Sequence, residues 1–132
     1  MPQQVEHASP VKLSSITTDL VSRKLRIAGR LLAYDFDTTI LLLHDGDNGL
    51  LVDVSLCLNP YKSMRWLRES NAIVMVFGYL EQSSSPLPVP ALPYHSRATK
   101  VNHYLVLRAM LAQEAPDLDL VLWNRCLEEG IA

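Results

Sequence analysis

Cysteine is scarce in this 132-residue chain: Cys57 and Cys126 are the two, far apart in sequence. Two thiols cannot build a four-ligand zinc knuckle, and no companion histidines stand beside them. Both are expected as free thiols in a reducing compartment. The four histidines, His7, His44, His95 and His103, are scattered, with neither HxH nor HExxH spacing. No glycine-rich phosphate loop occurs, and no Ser-His-Asp order stands out. Asp45-Gly46-Asp47-Asn48-Gly49 has the residues of a calcium loop but lacks its spacing and its terminal bidentate glutamate. No metal or cofactor site is therefore expected, and no enzyme. Nor does any window approach the roughly 18 uninterrupted apolar residues of a membrane span. The first ten residues lack the charged-then-apolar layout of a signal peptide, so an intracellular protein is expected. Positive charge is also in short supply. The net charge is −2, whereas a self-sufficient nucleic-acid binder is usually clearly basic.

What is present is hydrophobic alternation. At 48% hydrophobic and 20% charged, the composition is that of a globular domain, and the length fits one. Residues 1–12 are polar and aperiodic, and the first twenty read as a flexible arm before a single domain over 21–132. From Lys24 the chain alternates: Leu25, Ile27, Gly29, Leu31 and Ala33 form one set, and Lys24, Arg26, Ala28, Arg30 and Leu32 the other. This is a strand, and its central glycine suits a strand that must curl to serve both halves of a closed sheet. Asp35–Thr38 is a polar turn. Thr39–His44 is a second strand, nearly continuous in apolar residues. Asp45–Gly49 is a hairpin turn, and Leu50–Leu56 alternates again.

Asn59-Pro60 opens a short amphipathic helix running to Ser70, with Tyr61, Met64 and Leu67 or Trp66 on its apolar side and Lys62, Arg65 and Arg68 on the other. Ile73–Leu80 is a fourth strand. Ser83–Pro93 holds alternating prolines, which remove ladder donors and force a long loop ending near Lys100. Val101–Gln113 is the fifth strand, with Tyr104, Val106, Arg108 and Met110 on one face and Leu105, Leu107, Ala109 and Leu111 on the other. Asp117 is the expected cap of a last helix. Leu118, Val121, Leu122, Cys126 and Leu127 form its stripe, Leu120 and Trp123 widen the apolar surface, and Gly130 is its stop.

Three strands, a helix, two strands and a helix give an all-β chain with flanking helices. A five-stranded Greek-key barrel with a helix between strands three and four is the OB-fold. Such barrels grip single strands on the face of strands two and three and with the loops at its edge. Tyr94, His95, Arg97 and Lys100 are the best aromatic-plus-basic cluster for that work. Lys62, Arg65 and Arg68 read as a basic ridge or a wet helix face. Phe36 reads either as a stacking residue or as a loop aromatic folded onto the core.

The run from Lys24 to Asp37, with Leu-Arg, Gly-Arg-Leu and Tyr-Asp, resembles the first strand and turn of the Ten subunits, the smallest members of the CST telomere-capping complex. The run from Ile73 to Gln82 is similar to that family's fourth strand. The stretches Leu105–Leu111 and Asp117–Trp123 resemble its fifth strand and C-terminal helix. This resemblance covers about residues 20–130. It implies a heterodimer with the Stn subunit, the large CST subunit as a further partner, and contribution to single-stranded telomeric DNA binding. It also implies cooperation with DNA polymerase α–primase and a nuclear, telomeric location. Carried over, Leu118, Val121, Leu122, Arg125 and Cys126 become interface residues, and Arg26 a salt-bridge residue towards the partner. A small OB subunit of a replication-protein-A-like or helicase-associated complex is the alternative.

Overall fold

The structure is a computed structural model, and it describes residues 7–59, 64–69, 71–92 and 99–130. Six strands form one sheet: β1 (Ser9–Pro10), β2 (Lys24–Asp35), β3 (Ile40–Asp45), β4 (Asn48–Asp53), β5 (Ile73–Gln82) and β6 (Lys100–Glu114). Their order is β1-β2-β3-β4-β6-β5, and β5 also pairs with β2, so β2 to β6 close into a five-stranded barrel. One α-helix, α1 (Leu120–Glu128), follows.

Closure depends on β2. Its first half, Lys24 to Arg30, pairs antiparallel with β5, and its second half, Arg30 to Asp35, with β3. Between the halves Leu31 faces Leu43 and Ala33 faces Leu42, so Leu32 is the extra residue of a bulge. Leu31 stays inside and Leu32 outside, and the bulge shifts the alternation after them, so that Ala33 pairs with the outward Leu42 and Tyr34 with the inward Leu41. A bulge bends a strand and increases its twist, which a small barrel requires at its corners. The interior is aliphatic: Leu25, Ile27, Leu41, Leu43, Val52, Val74, Val76, Leu80 and Leu107 are fully buried in one cluster.

The region between β4 and β5 is shorter in regular structure than expected. Among the described residues it holds one 3₁₀ helix, Arg65–Arg68, with Trp66 and Leu67 buried. Tyr61, Lys62 and the expected start at Asn59-Pro60 fall wholly or partly outside the described residues. β4 ends at Asp53 rather than at Leu56, because the Asp53 carboxylate accepts the Ser55 N–H at 2.9 Å and turns the chain.

Two further differences concern packing. Residues 9–20 are docked rather than loose: Ser9 and Pro10 pair in parallel with Leu25 and Arg26, and two 3₁₀ turns follow at Leu13–Ser15 and Thr18–Leu20. Leu13 is buried against the barrel. A Cβ on Gly29 would lie 3.0 Å from Leu13 Cδ1, so the glycine makes room for this plug. Burying one leucine contributes roughly 1.5–3 kcal/mol, which helps offset the ordering of the arm. In β6 the expected faces hold only as far as Ala109. Phe77 faces Leu111 and Gly78 faces Ala109, so Met110 is bulged; Ala112 then points inward and Leu111 outward.

At that second bulge β6 comes so close that a Cβ on Gly78 would collide with the Arg108 carbonyl oxygen. Gly78→Ala is expected to destabilise the barrel by about 1–3 kcal/mol, as overpacking does, read as a lower urea midpoint at unchanged slope. Gly46 has φ +61° and open space around it. Gly46→Asn, which tolerates that conformation, is the control, expected to keep most of the midpoint.

Candidate partner and nucleic-acid interface

The last helix begins two residues later than the sequence suggests. Asp119, not Asp117, is its cap, and its carboxylate accepts the Leu122 N–H at 3.1 Å. The preceding turn is closed by the Leu118 N–H donating to the Ala115 carbonyl. Residues 120, 123, 124 and 127 share one helical side. Leu120 is buried there, and the Asn124 amide donates to the Asp45 carboxylate at 2.5 Å. Lys12 pairs with Glu128 at 2.8 Å, tying the docked arm to the helix end. That hydrogen bond and charge lower the Glu128 pKa from its ordinary value.

Residues 118, 121, 122 and 125 share the opposite side. Val121 is 70% exposed and Leu122 54% exposed; Arg125 is exposed, and Leu118 and Cys126 are half-buried. Val121 is the most exposed large apolar side chain among the described residues. The helix is thus apolar outward. Inward it is partly polar. Arg26, half-buried on the outside of β2, places its guanidinium 5.1 Å from the Trp123 ring centre. Among the described residues it forms no ion pair. Arg26 Nε and Trp123 Nε1 are buried with no hydrogen-bond partner there. Buried polar atoms without partners cost free energy, so this contact holds the helix less firmly than an aliphatic one would.

The outer face of the sheet holds a second buried cluster: Leu32, Ile40, Leu42, Leu51 and Val106. These side chains alternate with the interior set, so they lie on the face that open OB barrels offer to single strands. Leu42 and Leu51 are nevertheless fully buried. The proline-rich segment covers them. Leu87 and Val89 pack on this floor together with Val101, and Pro90 is buried. The Leu87 N–H donates to the His103 carbonyl at 2.8 Å, and the Ser83 N–H to the Tyr104 carbonyl at 2.7 Å. Residues 83–92 therefore form an extended strap rather than a free loop. Alternating prolines leave few donors to satisfy and preset the extended backbone.

Beyond the strap end lies an open groove of about 400 Å³, lined by Tyr34, Phe36, Leu67, Arg68, Glu69 and Leu92 among others. Phe36 is 61% exposed at the tip of the β2–β3 turn. Its ring meets Tyr34 edge-on at 4.7 Å, and the Arg68 guanidinium lies 5.7 Å from its centre. The turn is held by the Asp35 carboxylate, which accepts the Asp37 N–H at 2.8 Å, and by Thr39 at φ +59°. Burial, then the carboxylates of Asp35 and Asp53, raises the Tyr34 pKa, so the phenol stays neutral.

Of the expected nucleic-acid cluster, Tyr94, His95 and Arg97 lie outside the described residues. Lys100 opens β6 opposite Asn48, at the β3–β4 hairpin end and away from the Phe36 turn. Lys62 also lies outside the described residues, while Arg65 and Arg68 are exposed. The strap residues Leu87 and Val89 were not foreseen as functional, although Leu-Pro-Val-Pro is itself a period-two apolar signal. Among the described residues no group of three His, Cys, Asp or Glu side chains is placed to hold a metal ion.

No family model and no curated protein matches the sequence. Solved structures do. The chain is similar to the crystal structure of an S. pombe Stn1–Ten1 complex at 16% identity and TM-score 0.65, covering 98% of this chain and 96% of that one. The telomere capping protein Ten1 from S. pombe matches at 17% identity and TM-score 0.63, over 94% and 97% of the two chains. The U. maydis replication protein A bound to single-stranded DNA matches at 16% and 0.55, over 97% and 89%. The chain has the OB fold. At such identities the likeness establishes the fold and nothing finer.

The strap makes a stability prediction. Leu87→Asp and Val89→Asp are each expected to lift it from its floor and cost about 1–2 kcal/mol, by analogy with partial loss of an apolar burial. An apolar fluorescent dye should then bind while the far-ultraviolet spectrum of the barrel is kept. Unchanged stability and no dye binding would show that the floor is covered by something else.

Proposed function

We propose that this chain is a non-catalytic subunit of a CST-type telomere complex. In this reading it pairs with an Stn-like OB protein and assists that partner and the large subunit in holding single-stranded telomeric DNA. The observation that carries the reading is the outer side of α1. Val121 and Leu122 are largely exposed on a barrel whose whole length is similar to a chain of the Stn1–Ten1 complex. A helix with an uncovered apolar side seeks a partner. Leu118, Val121, Leu122, Arg125 and Cys126 form the contact, while Arg26 lies beneath Trp123 on the inner side of the helix and acts on the contact through the seating of α1.

The electrostatics fit an assisting role. With a net charge of −2 the lone chain gains little from phosphate neutralisation. The main grip on DNA belongs to the partners. Nuclear, telomeric location and cooperation with DNA polymerase α–primase follow from the same reading. A replication-protein-A-like assembly is the second reading, favoured by the likeness to the U. maydis protein over 97% of this chain. Which large partner co-purifies from cells separates the two.

The test is association with the Stn-like protein of the same organism by co-expression and pull-down. Val121→Glu and Leu122→Glu are each expected to weaken the pair by about 2 kcal/mol or more, as loss of a central interface anchor does, some thirtyfold in Kd. Arg26→Glu should weaken it less. Both α1 variants should fold normally, because the substituted side chains face solvent in the lone chain. Undiminished association of both α1 variants would remove the helix from the interface.

A further inference from the structure

We infer that Ser85 is a phosphorylation site for a proline-directed protein kinase, and that a phosphate there releases the strap from its floor. The inference goes beyond the partner reading above and does not depend on it. Two serines of this chain precede a proline, in Ser9-Pro10 and Ser85-Pro86. Proline has no N–H to donate, so a Ser-Pro pair suits a kinase cleft that leaves the next backbone position without a partner. By sequence Ser9 is the better match, because Lys12 adds the basic residue that such kinases favour two positions after the proline. The fold reverses that order. Ser9 is exposed, but its main chain belongs to the sheet. Ser9 and Pro10 pair with Leu25 and Arg26, and the Val11 N–H donates to the Arg26 carbonyl at 3.1 Å. Lys12 is bonded to Glu128, and Leu13 is buried against the barrel. A kinase must undo all of these ties to draw Ser9 into its cleft.

Ser85 sits where the strap starts. Ser84, Ser85 and Pro86 are all exposed. The stretch is fastened to the barrel main chain at its two ends, by the Ser83 N–H to the Tyr104 carbonyl and the Leu87 N–H to the His103 carbonyl. Segments with so few anchors open locally at low cost. The bend between them is held by the Ser83 hydroxyl, which donates to the Ser85 carbonyl at 2.6 Å and accepts the Ser85 N–H at 3.3 Å. The Ser85 hydroxyl takes part in neither bond. In the transfer, Ser85 Oγ attacks the γ-phosphorus of ATP: the Oγ–P bond forms and the bond from that phosphorus to the ADP oxygen breaks. The hydroxyl proton passes to the base of the kinase, and ADP leaves. The charges nearby set the consequence. Ser83 and Leu87, two positions to either side of Ser85, line a cleft of about 220 Å³ with Asp53, Glu81 and Arg108. Its one cation, Arg108, is already bonded to Glu81 at 3.1 Å, which leaves the Asp53 carboxylate uncompensated among the charges lining the cleft. A phosphate brings a further charge of about −1.5 to −2 at neutral pH, and beside like charge it disrupts. The strap lifts, Leu87 leaves its place, and the aliphatic floor of Ile40, Leu42, Leu51 and Val106 is uncovered. The modification thus makes a conditional lid of a constitutive one.

The experiment treats the full folded chain with a purified proline-directed kinase and magnesium ATP, and maps the phosphate by mass spectrometry. Free peptides spanning residues 5–14 and 81–90 are the reference. Both peptides should be modified, the first faster, whereas the folded chain should take its phosphate on Ser85. Pro86→Ala should abolish that modification, and Ser84→Ala should leave it unchanged. Hydrogen exchange of the modified chain then reads the strap. Protection of the Leu87 amide should fall about tenfold or more, as on opening of a local unit, while the Leu41 and Leu43 amides inside the barrel keep theirs. An apolar dye should bind the modified chain and not the parent. A folded chain that takes no phosphate, or takes it on Ser9 as fast as on Ser85, overturns the site. A chain phosphorylated on Ser85 with unchanged Leu87 protection and no dye binding overturns the release of the strap.

Discussion

Strand β3 buries both its faces, and most of the molecule follows from that. Leu41 and Leu43 point into the barrel, while Ile40 and Leu42 point out. A strand apolar on both sides must be covered on both sides. The barrel interior covers one. The other requires a lid, and the strap of residues 83–92 is that lid. An OB barrel thereby forgoes its usual open sheet face. The large apolar side chains left exposed lie away from that face, among them Val121 and Leu122 on the outer side of α1 and Phe36 at the β2–β3 turn.

The same balance explains how α1 is held. Its inner side meets Arg26, Trp123, Asn124 and Asp45, a contact with few aliphatic side chains and with two buried nitrogens lacking partners. Its outer side carries Val121 and Leu122. Most amphipathic helices turn their apolar stripe inward. Here much of that stripe faces water, and the Lys12–Glu128 pair, both side chains partly exposed, adds little at the far end. Association with a second apolar surface would complete the packing that the barrel alone leaves unfinished.

Much of this was legible in the residues. Period-two alternation located β2, β4 and β6, a continuous apolar run located β3, and β-branched and aromatic content located β5; the order of elements indicated the closed topology. Gly29 was legible as the curl of β2, although it also makes room for Leu13, and the close approach of β6 to Gly78 came only from the structure. What escaped the pattern is what depends on distant contacts. The bulges at Leu32 and Met110 reverse the facing of the residues after them, and alternation cannot reveal an unpaired residue. The docking of Leu13 was hidden because the polar neighbours of residues 1–12 resemble a free arm. The strap was hidden because proline argues only against ladder hydrogen bonds, not against an extended segment laid on a sheet. The continuous apolar run in β3 was the available signal that its outer face would be covered. For the functional residues, the α1 stripe was legible and its cap misplaced by two positions. The pairing of Phe36 with Arg68 joins a turn and a short helix far apart in sequence, and only the fold brings them together.

Methyl NMR with a soluble paramagnetic probe tests the central claim directly, because it reads both apolar surfaces in one sample. In the lone chain the Val121 and Leu122 methyls should broaden strongly while those of Leu42 and Leu51 stay sharp. Adding the Stn-like partner should protect the first pair and leave the second unchanged. Broadening of Leu42 and Leu51 in the lone chain, or Val121 and Leu122 still broadened in the complex, would contradict the account.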